Sequence, residues 1–197
     1  DASLTNKILP KARKNMAAIS GGDANEIRRN NAVMQIINGS MIQITEPAKA
    51  LEHFLLALKD LEGVHNALPE HVAVRSELAR YALRSANIAD SLDMIDDAAK
   101  LRGKAATQLR WLLQKNPELK VAKVKLAEVE LLATEADMRA GNDSGAASKL
   151  AAAEKLLSGL PANDASPDGV SMQTATAKGL RSVLLRDQGK TTEAAKS

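Results

Sequence analysis

The chain repeats itself, and a repeat leaves few folds open. Sliding the 197-residue sequence against itself by 48 positions carries Ala50 onto Ala98, Ala146 and Ala194, Ala57 onto Ala105 and Ala153, and Leu61 onto Leu109 and Leu157. Leu78-Ala79 falls on Leu126-Ala127 with Ala175 behind them, Pro69 falls on Pro117, and Thr45, Asp93, Gly141 and Gly189 share one register. Alanine on alanine is a cheap coincidence in an alanine-rich chain, so the leucines, the prolines and the Gly141/Gly189 pair carry the argument. Self-similarity at a period of a few tens of residues marks architectures whose units bury their apolar faces only against one another.

One unit is plainest between Leu119 and Leu157: an apolar-periodic helix, a polar turn at Gly141 and a second, alanine-rich helix. Short connections between two such helices force them antiparallel. Laid along the chain, the pattern predicts an orphan helix over residues 3–20, units over 23–68, 69–116 and 117–160, and a partial unit over 168–197. The orphan helix has Ser3 as its N-cap, Leu4, Ile8, Met16 and Ile19 near one face, and a weakening Pro10. In the next helix, run to about Ile44, Ile27, Val33, Met34, Ile37, Met41 and Ile44 are expected as the buried side. Pro47 and Pro69 are read as helix-opening prolines, and Asn116-Pro117 as a helix stop. The second unit is the least regular. Arg102 stands where the first unit has Phe54, and Gly103 sits inside the helix, so a distortion is expected there, with Trp111 filling part of the gap. The fold class that follows is all-α: a right-handed α-solenoid of antiparallel helix hairpins, period about 48, as a single domain over 1–197.

Composition narrows the function. The net charge of +3 is confined to residues 1–30, where Lys7, Lys11, Arg13, Lys14, Arg28 and Arg29 face Asp1, Asp23 and Glu26, so the remainder is neutral. A nucleic-acid binder needs a basic stripe with stacking aromatics, and this chain has only Phe54, Tyr81 and Trp111. Lys7, Lys11 and Lys14 share a helical face, which either is simply solvated or meets an acidic partner or lipid head groups. No cysteine is present, which removes disulfides and thiolate chemistry and leaves the compartment open. No run of 18 apolar residues occurs, so no membrane span is expected, and the start lacks the apolar core of a signal peptide. A chain that begins and ends inside repeats is expected to be a piece of something longer.

Catalytic chemistry is not signalled. His53, His65 and His71 lack the four-residue helical spacing of a zinc pair, so no metal is expected. Asp90, Asp93 and Asp97 can share a helical face, but polar neighbours favour solvation over an acid/base pair. Gly21-Gly22 has neither the lysine nor the preceding strand of a phosphate loop, and no nucleophile stands in an elbow motif. No cofactor is expected. Asn38-Gly39-Ser40 and Asn142-Asp143-Ser144 satisfy the glycosylation triplet, a pattern common by chance.

The second helices carry a resemblance. Ala50, Phe54 and Ala57, then Ala98 and Ala105, then Ala146, Leu150 and Ala153 resemble the second helix of the tetratricopeptide repeat. That family uses alanine, a large apolar residue four on and alanine three further to let helices approach closely; its usual period is about 34, against 48 here. Leu78-Ala79, Leu126-Ala127, Gly141 and Asn116-Pro117 look more like repeats found C-terminal to the kinase domain of some bacterial serine/threonine kinases. The first resemblance implies a protein- or peptide-binding groove on the first helices. Its groove positions, carried over by register, are Gln35, Arg80, Leu83, Asn87, Glu128, Leu131, Glu135 and Arg186, a mixed-charge set suited to a polar peptide or small polar ligand. The second implies a sensor or docking arm of a signalling protein, extracytoplasmic in a bacterial envelope; otherwise the chain is expected in the cytoplasm. The function expected is thus a non-catalytic scaffold, not an enzyme. The rival reading is an assembly module whose exposed solenoid ends pair into homo-oligomers.

Overall fold

The computed structural model describes residues 23–161 and 169–195, and no strand occurs among them. They form α1 (Ala24–Ile42), α2 (Pro47–Ala67), α3 (Val72–Ser91), α4 (Ile95–Lys115), α5 (Lys120–Arg139), α6 (Asp143–Leu157), α7 (Val170–Asp187) and a single turn, α8 (Thr191–Ala194). The orphan helix expected over 3–20 lies outside the described residues, as does most of the PANDASPDG stretch after Leu160. The chain divides into two compact units, residues 1–105 and 106–197, with the boundary inside α4. In the first unit α1 packs on α2 and α2 on α3; in the second, α5 packs on α6 and both pack on α7, against which α8 closes.

Each helix end has a local cause. The Asp23 carboxylate accepts from the Asn25 amide, and the Asn142 amide oxygen accepts from the Gly145 amide at 3.1 Å, so both satisfy donors that a helix start leaves unpaired. Pro47 opens α2, where its missing N–H costs nothing. Asn116-Pro117 follows the end of α4 at Lys115, as a helix stop should, whereas Pro69 does something else than open a helix. The His71 amide donates to the Leu68 carbonyl and the Leu119 amide to the Asn116 carbonyl, so each proline is the second residue of a four-residue turn that precedes its helix. Asp93, Gly141 and Gly189 have φ of 59°, 70° and 74°, each two residues before the next helix. That left-handed step suits glycine and is tolerated by aspartate.

In the first unit the core is the facing stripes of α2 and α3. Ala50, Leu51, Phe54, Ala57, Leu58, Leu61 and Val64 are buried on α2, and Leu78, Ala79, Ala82, Leu83, Ala86 and Ala89 on α3. Sealing Phe54 alone is worth about 1.5–3 kcal/mol. α1 corrects its expectation. Its buried residues are Ala32 and Gly39, whereas Ile27, Val33 and Met41 are exposed and Ile44, beyond the helix end, is 96% exposed. The cause is close approach: a Cβ added at Gly39 would meet the Ala50 carbonyl oxygen at 3.1 Å and Phe54 Cε2 at 3.2 Å, so only small residues fit the face that α1 turns to α2.

The distortion expected at Arg102-Gly103 is absent, since α4 is continuous over Ile95–Lys115. Arg102 forms an ion pair with Asp90 of α3, its side chain 11% exposed. The second unit has a core of Ala127, Leu131, Ala146, Leu150, Ala153, Leu157, Ala177 and Leu184, joined by Met138, Leu156 and Leu180. Lys149–Asp137 at 2.6 Å ties α6 to α5, and Arg181 Nε donates to Glu154 Oε1 at 2.7 Å between α7 and α6.

Candidate binding surface

The first helices place their polar side chains differently in the two units. On α3 the period puts Arg80, Arg84 and Asn87 on one face, because positions four and three apart are neighbours. Arg80 and Asn87 are exposed, with the Arg80 guanidinium 5.2 Å from the Tyr81 ring centroid. Arg84 is half-buried and lies 4.7 Å over the Phe54 ring. Its Nε and Nη2 both donate to Gln43 Oε1, at 2.8 and 2.6 Å. Phe54 and Tyr81 are themselves stacked, centroids 6.2 Å apart and planes 16° apart. An aromatic shelf thus holds two guanidinium groups, one of them oriented by a neutral amide. Cation–π contacts of this kind are worth about 0.5–1 kcal/mol at exposed sites.

Gln35 and Leu83, set on the groove by register, face inward. Gln35 is half-buried and its Oε1 accepts from the His53 ring Nδ1 at 2.6 Å, and Leu83 belongs to the α3 core at 6% exposure. Leu131, one interval after Leu83, is likewise sealed in the second unit at 1%. The reason is length. A groove register taken from a 34-residue unit drifts when α3 and α5 run for 20 residues, and the position carrying Leu83 and Leu131 turns to the core stripe.

On α5 the outward positions are acidic. Glu128 pairs with Lys125 at 2.9 Å and Glu135 with Arg139 at 3.1 Å, both within the helix, and both glutamates are half-buried. Arg186 is exposed in the last turn of α7, where a cation complements the carbonyl end of the helix. Sequence reasoning missed Arg84 and Gln43. The spacing of Arg80 and Arg84 was the available signal for the first; nothing in the sequence marks Gln43, which reaches Arg84 across two helices.

The residues weighed for catalysis have separate occupations. Asp90 pairs with Arg102, Asp93 forms the left-handed turn residue, and Asp97 pairs with Lys100 at 3.3 Å. His71 Nδ1 accepts from the Val74 amide at 3.4 Å as a helix cap. His65 Nδ1 is buried with no hydrogen-bond partner; burial, then the nearby Arg75 charge, holds its pKa below the usual histidine value. Among the described residues no cluster of three or more His, Asp or Glu is placed to hold a metal ion, and no helix is long and apolar enough to cross a membrane. Compared with protein-family models, curated proteins and solved structures, the chain matches none.

Proposed function

We propose that the chain is a non-catalytic scaffold, a right-handed α-solenoid of helix hairpins repeating at about 48 residues, that holds a polar peptide on the outward faces of its first helices. Support for the interval comes from where the helices begin. Second helices start at Pro47, Ile95, Asp143 and Thr191, and first helices at Ala24, Val72, Lys120 and Val170. Equivalent alanines agree: Ala50, Ala98 and Ala146 are each 0% exposed, as are Ala57, Ala105 and Ala153.

The observation that carries the binding role is the α3 face, where Arg80 and Arg84 sit on the Phe54/Tyr81 shelf with no carboxylate paired to them among the described residues. Cations normally sit near anions, and a pair held in place without them is arranged to receive polar or acidic groups from outside.

The test is binding of the Arg80→Ala variant to a peptide array. Peptides captured by the parent chain are expected to bind the variant at least tenfold more weakly, with helicity unchanged by circular dichroism. Unchanged affinity would mean that the peptide sits elsewhere.

A further inference from the structure

Two guanidinium groups held between helices of the first unit take carboxylates. Arg102 of α4 pairs with Asp90 of α3, and Arg29 of α1 pairs with Glu77 of α3 at 3.4 Å. A third, Arg84 of α3, takes an amide instead. Half-buried, it donates from Nε and Nη2 to the one side-chain oxygen of Gln43, the residue that caps the C-terminal end of α1. A carboxylate in that place would accept the same two hydrogen bonds and add the attraction of opposite charges. The amide fixes the guanidinium in position and leaves its positive charge uncompensated.

The groups around Arg84 offer donors. Arg84 engages two of its five N–H donors on Gln43. Its other donors, the whole Arg80 guanidinium one helical turn back, the Gln43 Nε2 amide and the Tyr81 hydroxyl have no hydrogen-bond partner among the described residues. Ring faces attract a guanidinium without using its N–H groups, so the Phe54/Tyr81 shelf holds both arginines and leaves those donors to a ligand. The carboxylates closest along the chain are engaged elsewhere, Glu77 by Arg29 and Glu46 by Lys49.

We infer that this face takes the side-chain carboxylate of an acidic peptide between Arg80 and Arg84, and that Gln43 is the positioning residue that keeps Arg84 fixed without neutralising it. The inference rests on the peptide reading and names the chemistry of the peptide. A phosphate group fits less well. The pair lies in the middle of α3, where the backbone N–H groups are engaged within the helix, so the amide nest that phosphate favours is missing.

The test uses a short-peptide array in which each acidic peptide is printed beside its amide counterpart, probed with the full chain and with its Gln43→Glu variant. The substitution keeps the shape and both hydrogen bonds but sets a carboxylate on Arg84, so the melting temperature is expected at or above the parent's. The parent is expected to capture acidic peptides roughly tenfold or more tightly than their amide counterparts, and Gln43→Glu to erase that preference. A preference that survives in Gln43→Glu overturns the inference, because the carboxylate then sits elsewhere. Equal capture of the paired peptides by the parent overturns it too and leaves the peptide reading standing, whereas capture of no peptide at all removes both. Should Gln43→Glu lower the melting temperature, Arg84→Met, which keeps an apolar stem over Phe54 and removes the charge, asks the same question with the same outcomes.

Discussion

Gly39 and Gly103 show how one substitution changes sign with its surroundings. A methyl at Gly39 would press on the Ala50 carbonyl oxygen, His53 Cβ and Phe54 Cε2, all between 3.1 and 3.2 Å, and none of these is the free end of a flexible chain. A methyl at Gly103 would meet nothing within 4 Å. Both glycines lie inside helices, where alanine is intrinsically better by about 1 kcal/mol. Gly103→Ala is therefore expected to raise the melting temperature by a few degrees. Gly39→Ala is expected to lower it, because overpacking at about 1–3 kcal/mol outweighs the propensity gain. His65 supplies the pH dependence at this scale. Its pKa in the fold lies below the ordinary value, so the fold favours the neutral ring. The contribution is fully present above the unfolded value of 6.5 and is lost as pH falls through the lower folded value. His65→Leu, which removes the unpartnered ring nitrogen, should flatten the melting temperature below about pH 6.5; an unchanged pH profile would exonerate this ring.

At the scale of single elements, the sequence revealed helix existence and turn positions better than it revealed which side of a helix is inside. The α1 stripe from Ile27 to Ile44 has the right period, yet periodicity identifies an apolar face without saying what covers it. The face that α1 gives to α2 is made by Ala32 and Gly39, too small to register as hydrophobic signal. Pro69 and Pro117 were legible as boundaries, and the turn geometry sets each next helix start three residues after its proline, at Val72 and Lys120. Arg102 misled for a related reason: an arginine at an apolar register position is no defect when its stem packs and Asp90 takes its charge. The α3–α4 turn gives a sharper test. Asp93 holds φ at 59° where the other two hairpins use Gly141 and Gly189. Asp93→Gly relieves that residue and should stabilise the chain by up to about 1 kcal/mol in urea denaturation, whereas a loss would mean that the carboxylate has a role beyond the turn.

For the molecule as a whole, the claim on which the rest depends is that the helix pairs are interchangeable at 48 residues. In the sequence it rests on Ala50, Ala98 and Ala146, and each of these alanines is fully buried, as a close helix contact asks of a small residue. The Arg80/Arg84 face was less visible, since Arg84 and Gln43 meet across helices and no local pattern announces such a pair. In a repeat array stability is close to a sum of unit and nearest-neighbour terms, so a whole unit can be removed without destroying the others. The direct measurement is thermal unfolding, by circular dichroism, of a chain lacking residues 72–119, in which His71 joins Lys120 in register. The account predicts a cooperative transition with the same helical signal per residue as the parent. Loss of cooperativity, with helical signal per residue well below the parent's, would contradict it.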